Sequence, residues 1–144
     1  MDNQDAQVAL ALRIAEEAHR GQTRWDGKTP YVEHPKAVAE DVFMRGLGPG
    51  GQVVALLHDV LEDTSLTAED LISKGIDKFD VSLVQILTKR PGERYLNYIL
   101  RCRSNGWTRL VKMADLRHNL SNLKPGSLRD KYELAMHILA EEDQ

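Results

Sequence analysis

Apolar residues recur every three or four positions along most of this chain, which is the spacing of side chains on one face of an α-helix. The first such segment runs from about Asp5 to Arg20 and ends at Gly21. Further segments run from Pro35 to Gly46, from after Gly51 to near Thr64, from Thr67 to Gly75, from Val81 to Lys89, from Tyr95 to Cys102, from Leu110 to Leu123 and from Tyr132 to Leu139. We find no alternating strand pattern and no internal repeat. The pattern therefore predicts an all-α, compact helical fold, with residues 1–144 forming one domain.

Two breaks in the pattern are informative. The first, from Gln22 to His34, is a polar, turn-rich loop containing Trp25, and such a loop can line a pocket. Pro35 follows where a first helical residue is expected, which places His34 at a helix N-terminus. The second, from Gly46 to Gly51, predicts a turn. It is not a phosphate-binding P-loop, because it lacks a preceding strand and a following Gly-Lys-Ser/Thr.

Composition narrows the class of protein. The chain has 144 residues, 42% of them hydrophobic and 28% charged, as in an ordinary globular protein with a real core. A formal charge of −3 argues against a nucleic-acid partner, although a local basic pocket is compatible with it. The single cysteine, Cys102, cannot form an internal disulfide and fits a reducing cytoplasm. With no leader-like start after Met1 and no long apolar run, we expect neither secretion nor membrane anchoring.

The most informative stretch is His58-Asp59-Val60-Leu61-Glu62-Asp63, which follows the apolar run Val53-Val54-Ala55-Leu56-Leu57. A helix that is apolar almost all round is normally buried, and isolated buried carboxylates cost several kcal/mol each. A divalent metal ion would compensate them. On one unbroken helix, Glu62 would share a face with His58, and Asp63 with Asp59. The pattern therefore predicts a first layer of metal ligands and a second layer that reaches a water or substrate.

Two further ligands are available elsewhere in the chain. His34 lies at the start of the second predicted helix, and Asp115 interrupts the apolar stripe of a later one. Together with His58 and Asp59 they give two imidazoles and two carboxylates, a set that suits Mn, Fe or Zn. A metal-bound water becomes a nucleophile near neutral pH, and a nearby carboxylate such as Glu62 or Asp63 can take its proton. This constellation indicates metal-dependent hydrolysis.

The order His34, His58-Asp59, Asp115 resembles the signature of HD-domain metal-dependent phosphohydrolases. More specifically, several motifs resemble the hydrolase domain of the RelA/SpoT family, including its stand-alone small alarmone hydrolases. They are Ala18-His19-x-Gly21-Gln22-x-Arg24, Pro30-Tyr31-x-x-His34-Pro35, His58-Asp59-x-x-Glu62-Asp63-Thr64, Thr88-Lys89 and Val111-Lys112-x-Ala114-Asp115-x-x-His118-Asn119. The resemblance implies an all-α HD-domain fold and removal of the 3′-pyrophosphate from guanosine tetra- and pentaphosphate, (p)ppGpp, with a bound Mn²⁺.

The resemblance also implies roles for individual residues. His34, His58, Asp59 and Asp115 would bind the metal, Glu62 and Asp63 would activate or orient the water, and Arg24 and Asn119 would contact the nucleotide. The chain departs from the family pattern at Trp25, where Lys usually follows Arg24, and at Leu116-Arg117, where the order is usually Arg-Leu. An indole can stack on a purine but carries no charge for a phosphate.

Three functions remain open from the sequence: hydrolysis of (p)ppGpp, hydrolysis of another nucleotide or phosphate ester, and nucleotide sensing without catalysis. Trp25 keeps the second open, whereas Glu62 and Asp63 argue against the third, because a sensor needs no second layer. Lys112 is either a cation for the substrate phosphates or a solvated charge, and the same choice applies to Lys89. The sequence leaves the oligomeric state undetermined.

Overall fold

The computed structural model describes residues 2–141, and within that range the chain forms nine α-helices and no strand apart from an isolated bridge between Thr23 and Pro30. The helices are α1 (Asn3–Ala18), α2 (Glu33–Met44), α3 (Gly48–Leu57), α4 (Val60–Asp63), α5 (Ala68–Ser73), α6 (Lys78–Ile86), α7 (Tyr95–Arg103), α8 (Gly106–Ser121) and α9 (Ser127–Ala140). This confirms the predicted all-α class. The predicted extent of one domain, residues 1–144, stays a prediction, since Met1 and residues 142–144 lie outside the described range.

The third predicted helix differs most from expectation. It begins earlier, because Gly48, Pro49, Gly50 and Gly51 form the first turn of α3 instead of a loop. Proline is compatible with this position, where its missing N–H has no helical partner to lose. The helix also ends earlier, at Leu57, and the prediction of one continuous helix to Thr64 is wrong.

Helix α3 lies at the centre of the core. It packs against α1, α2, α6 and α8, and its residues from Val53 to Leu57 are all buried. A helix that is apolar on every side can only be accommodated where neighbours surround it, so the sequence of this segment explains its central position. The C-terminal end of α3 therefore carries His58 into the interior of the bundle.

Two loops at that end of the bundle are held by their own hydrogen bonds. In the loop before α2, the carboxylate of Asp26 accepts from the backbone N–H of Lys28 and of Thr29 and from the Thr29 hydroxyl. In the loop between α6 and α7, the Arg101 guanidinium donates to the carbonyls of Ile86 and Thr88 and pairs with Glu93. These bonds fix the backbone that presents Arg24 and Trp25 in one loop and Lys89 in the other.

Among the described residues no helix is both long enough and apolar enough to cross a membrane.

Paired substitutions at neighbouring glycines test the packing of α3. A Cβ at Gly51 would lie 2.6 Å from the Leu47 Cβ, whereas a Cβ at Gly50 meets nothing within 4 Å. We expect Gly51→Ala to lower the free energy of unfolding by about 1–3 kcal/mol, the usual cost of overpacking. Gly50→Ala should leave it unchanged or raise it by up to about 1 kcal/mol, because alanine favours a helix. Urea denaturation measures both, and equal effects would contradict the close contact.

Candidate metal centre

The doublet His58-Asp59 forms the break between α3 and α4. The carbonyl of Ala55 accepts from the backbone N–H of His58 at 3.4 Å and lies 2.6 Å from its ring nitrogen Nδ1. Because a carbonyl can only accept, Nδ1 carries a proton, and Nε2 is the ring nitrogen that faces the neighbouring carboxylates. The break thus ends a core helix and points an imidazole nitrogen away from it.

His34, His58 and Asp115 meet at one point. Each offers a ligand atom that lies within 4.8 Å of the others, and the three residues are only 1%, 3% and 4% exposed. The Nε2 atom of His34 is 2.7 Å from Oδ1 of Asp115. Asp59 completes the cluster, since its Oδ2 lies 3.1 Å from His58 Nε2 and 3.7 Å from His34 Nε2. The structure therefore brings together all four predicted ligands from α2, α8 and the α3–α4 break.

Three members of this cluster, Asp59, Asp115 and His34, are each held by a further side chain. The Tyr31 hydroxyl donates to Oδ2 of Asp59 at 2.6 Å, and the amide of Asn119 donates to Oδ1 of Asp115 at 3.2 Å. Behind His34, its Nδ1 lies 2.7 Å from Nδ1 of His118, so the two rings share one proton. Such partners fix the orientation and tautomer of metal-binding side chains.

Charge is concentrated at the cluster. Burial opposes ionisation, but the carboxylates of Asp59 and Asp115 outweigh it and raise the pKa of His58 well above its usual value. Burial likewise opposes the charged form of Asp115, yet Lys112, His34 and His58 hold its pKa well below its usual value. The two carboxylates therefore stay ionised in the interior, where negative charge attracts cations strongly.

The donor atoms of the four cluster residues are suited to binding a divalent cation. The Nε2 atom of His58 is buried and makes no hydrogen bond of acceptable geometry within the described residues, although two carboxylates stand close to it. Buried nitrogen atoms are rarely left without a partner, and such a nitrogen among carboxylate oxygens is what a metal ion requires. Two imidazoles and two carboxylates suit a divalent transition metal better than they suit Ca²⁺ or Mg²⁺.

Glu62 and Asp63 lie on α4, which directly follows the His58-Asp59 doublet. Asp63 keeps its helical bond to the Asp59 carbonyl at 2.9 Å, so these two residues remain one turn apart. The prediction that Glu62 and His58 share a face of one unbroken helix is wrong, because His58 caps α3 and Glu62 belongs to α4. Instead, Oε1 of Glu62 accepts the backbone N–H of Lys89 at 2.9 Å.

The carboxyl group of Asp63 differs from an ordinary aspartate. Its partial burial, and then the negative charges of Asp59 and Glu62, raise its pKa to about 6. A carboxyl group with a pKa near neutrality can both take up and release a proton at physiological pH. This property suits the role in proton handling that the sequence predicts for it.

A pocket of about 370 Å³ opens beside His34 and contains two predicted substrate contacts, Arg24 and Trp25. The Arg24 guanidinium lies 4.5 Å from the centre of the Trp25 ring and donates to Oδ1 of Asn119 at 2.9 Å. Asn119 therefore links Arg24 to Asp115. Trp25 is 53% exposed, so its indole forms an open wall of the pocket.

Lys112, the fourth predicted substrate contact, is not in this pocket. Its Nζ lies 2.7 Å from Oδ2 of Asp115 and 5.0 Å from the centre of the Tyr98 ring, largely shielded from solvent. The structure thus places Lys112 behind the cluster, where it compensates the charge of Asp115. The sequence alone does not distinguish a lysine that binds a substrate phosphate from a lysine that pairs with a buried carboxylate.

The sequence shows Tyr31 and His118 in the motifs quoted above but gives neither residue a role. Both contact cluster residues directly, through Asp59 and His34 respectively. A signal was available, because Tyr31 stands three residues before His34 and His118 stands three after Asp115. Residues at such spacing in a helix or its first turn lie side by side.

Comparisons with known proteins identify a family and several relatives. A family model described as HD domain matches residues 11–98, a range that includes His34, His58 and Asp59 but ends before Asp115. The chain is 36% identical over 126 residues to the guanosine-3′,5′-bis(diphosphate) 3′-pyrophosphohydrolase of Haemophilus influenzae, covering 81% of this chain and 18% of that protein. It is 33% identical over 138 residues to the bifunctional (p)ppGpp synthase/hydrolase SpoT of Escherichia coli, covering 89% and 19% respectively.

A solved structure described as "A metazoan ortholog of SpoT hydrolyzes ppGpp and plays a role in starvation responses" superposes with a TM-score of 0.73. That likeness covers 93% of this chain and 83% of the other, at 27% sequence identity. By contrast, the chain spans about a fifth of the length of the curated relatives named above. The metazoan structure is therefore a match that covers most of both chains.

Replacing Lys112 tests how the charge of Asp115 is compensated. Removing one partner of a buried ion pair usually costs about 3–5 kcal/mol, so Lys112→Met should lower the free energy of unfolding by that order in EDTA. In saturating Mn²⁺ the loss should be smaller, because a cation beside Asp115 takes over part of the compensation. Urea denaturation under both conditions measures the difference. The exposed Lys124→Met serves as control, and equal losses with and without Mn²⁺ would contradict this account.

Proposed function

The chain belongs to the HD-domain family, and we propose that it is a metal-dependent hydrolase that removes the 3′-pyrophosphate from (p)ppGpp. The observation that carries this proposal is the buried cluster of His34, His58, Asp59 and Asp115, followed directly along the chain by α4 with Glu62 and Asp63. The names of the Haemophilus and Escherichia relatives and of the metazoan structure supply the substrate. The reaction would give GDP or GTP and pyrophosphate.

The proposed cofactor is Mn²⁺, which Nε2 of His34, Nε2 of His58 and carboxylate oxygens of Asp59 and Asp115 would hold. When bound, such a cation supplies Lewis-acid polarisation of a phosphate and makes a water molecule more acidic. Tyr31, Asn119, His118 and Lys112 hold three of the four ligands in place, all but His58, through the contacts described above. Their arrangement before binding reduces the cost of ordering the site.

In the proposed reaction, water attacks the phosphorus bonded to the 3′ oxygen, the P–O3′ bond breaks, and the 3′ oxygen takes up a proton. Glu62 receives the proton from the attacking water. The hydrogen bond from Lys89 to its Oε1 orients this carboxylate and leaves Oε2 to act as the base. Asp63, whose pKa is raised to about 6, holds and returns a proton near the leaving group.

Substrate recognition is assigned to the pocket beside His34. Arg24 supplies a cation for the phosphates or for the guanine edge, and Asn119 fixes its position. Trp25 stacks on the purine in place of the charged contact that a lysine would make. We also propose a cytoplasmic location, which a substrate of this kind and the free thiol of Cys102 support.

A second candidate function, hydrolysis of a different nucleotide or phosphate ester at the same centre, is favoured by one observation. Trp25 is exposed at the pocket mouth with the Arg24 guanidinium against its ring, so Arg24 is partly engaged before any phosphate arrives. A substrate with fewer phosphates would suit this pocket entrance, because it would need less positive charge from Arg24. The third candidate, a nucleotide sensor, requires binding without turnover.

Activity measurements separate these candidates. Purified protein with Mn²⁺ is incubated with ppGpp, pppGpp, other nucleotides and simple phosphate esters, and the products are resolved by ion-exchange chromatography. We expect GDP and pyrophosphate from ppGpp. Glu62→Gln should lower kcat by about 10²–10⁴-fold with little change in KM, the usual effect of losing a general base. Faster turnover of another substrate would show that ppGpp is not the preferred substrate and would support the second candidate function. Nucleotide binding without turnover would support the third, a nucleotide sensor.

The matched control for Glu62→Gln is Glu69→Gln, an exposed acidic residue near the start of α5 that contacts none of the site residues named above. Its kcat should equal that of the unaltered protein. Circular dichroism checks that both variants remain helical. A comparable loss of activity in both variants would show that Glu62 has no specific catalytic role.

Trp25→Lys tests the proposed stacking contact. If the indole stacks on the purine, the lysine variant should show a smaller preference for purine over pyrimidine nucleotides, since a single stacked ring contributes roughly 1–3 kcal/mol. Competition assays with matched purine and pyrimidine nucleotides measure this preference. An unchanged preference and unchanged KM would remove Trp25 from the recognition of the base.

A further inference from the structure

A second cavity lies at the opposite end of α3 from the metal cluster. Its volume is about 290 Å³, and it is bounded by α1, by the first turns of α3, α6 and α8, and by the connection before α6. Gly50 lines this cavity, and His58 follows eight residues later, so the two sites are roughly 12 Å apart along the helix. The cavity therefore does not belong to the hydrolytic site.

Asp80 is the unusual residue of this cavity. It is only 9% exposed, and within residues 2–141 it has no hydrogen bond or ion pair. A carboxylate at the third position of a helix ordinarily accepts the backbone N–H of the N-cap residue. Here the Asp77 N–H is taken by Oε1 of Gln7 at 3.1 Å, while the Gln7 amide nitrogen donates to the Gly75 carbonyl. Gln7 thus occupies the place of the cap, and Asp80 is left to line the cavity.

The position of Asp80 disfavours its ionised form. Burial, together with the negative charge of Asp77, raises the pKa of Asp80 above its usual value. No cation of the described chain compensates it, although buried carboxylates in proteins are nearly always paired. A ligand that brings a positive charge would stabilise the ionised form.

The other walls of the cavity are suited to such a ligand. The rings of Phe79 and Trp107 line it, and both are substantially exposed, at 61% and 41%. Leu47 and Val53 add aliphatic surface. Aromatic faces attract organic cations, and a cavity of this size holds a small molecule with an apolar body and one charged group.

We propose that this cavity is a binding site for a small organic ammonium ion, with Asp80 pairing with the cationic nitrogen and Trp107 and Phe79 packing against the apolar body. The site is separate from the hydrolytic centre and does not depend on the proposed function. Asp77, which also lines the cavity, adds to the negative potential that attracts the cation.

The test uses 2-phenylethylammonium and its neutral analogue 2-phenylethanol as probes, in nuclear magnetic resonance titrations of ¹⁵N-labelled protein. We expect saturable shifts of the backbone amides of Gly50 and Val53 and of the Trp107 indole N–H. The ammonium probe should bind at least tenfold more tightly than the alcohol, because only the ammonium forms a charge-assisted hydrogen bond. Equal affinities, or shifts confined to other parts of the protein, would overturn the proposal.

Two variants separate the contributions of charge and ring. Asp80→Asn should weaken ammonium binding about tenfold and leave the binding of 2-phenylethanol unchanged, whereas Trp107→Leu should weaken both. The control is Asp130→Asn, which removes the same charge from an exposed position in the first turn of α9. An equal loss in Asp130→Asn would show a non-specific effect of net charge and refute the pairing with Asp80. If Asp80→Asn does not fold, the two probes and Trp107→Leu still decide the outcome.

Discussion

The buried carboxylate of Asp115 carries a negative charge that neighbouring groups must compensate. This requirement organises the cluster formed by His34, His58, Asp59 and Asp115. Asp115 lies on α8 among the buried residues Val111, Ala114 and Leu116, where an isolated negative charge would be strongly unfavourable. His34 and Lys112 each approach one of its two oxygens. Elements far apart in sequence are thereby fixed relative to one another, and the cation that we propose would complete the same compensation.

The break between α3 and α4 lets one short segment serve both the core and the site. From Val53 to Leu57 every residue of α3 is buried, and a continued helix would have carried His58 and Asp59 onward in the same regular spiral. At the break, the Ala55 carbonyl accepts from the backbone N–H and from the ring Nδ1–H of His58. The chain turns there so that His58 and Asp59 both face His34. The energy of core packing thus holds the site rigidly in place.

Reaction and recognition rest on different kinds of structure. The ligand cluster comes from helices and helix ends packed in the core, whereas Arg24 and Trp25 lie in a loop held by its own turn contacts. Loops of this kind accept substitutions with little effect on the core. The departure from the family pattern at Trp25 is therefore compatible with an unchanged hydrolytic centre and an altered substrate preference.

The sequence by itself determined the helical class, most helix positions, the family and the identities of the four clustered side chains. These followed from local rules: helical periodicity, turn residues, and polar groups interrupting apolar stripes, as at His58 and Asp115. Their roles as metal ligands stay a prediction, as do the catalytic roles of Glu62 and Asp63.

Only the tertiary structure decided how distant groups share space. It broke the third helix at the doublet, placed Lys112 behind Asp115, set Tyr31 and His118 against cluster residues, and left Asp80 unpaired. None of this is visible in periodicity, which reports which face of a helix is buried but not which side chain lies opposite. The physical reason is that compensation of charge acts through space, between residues such as His34 and Asp115 that are eighty-one positions apart.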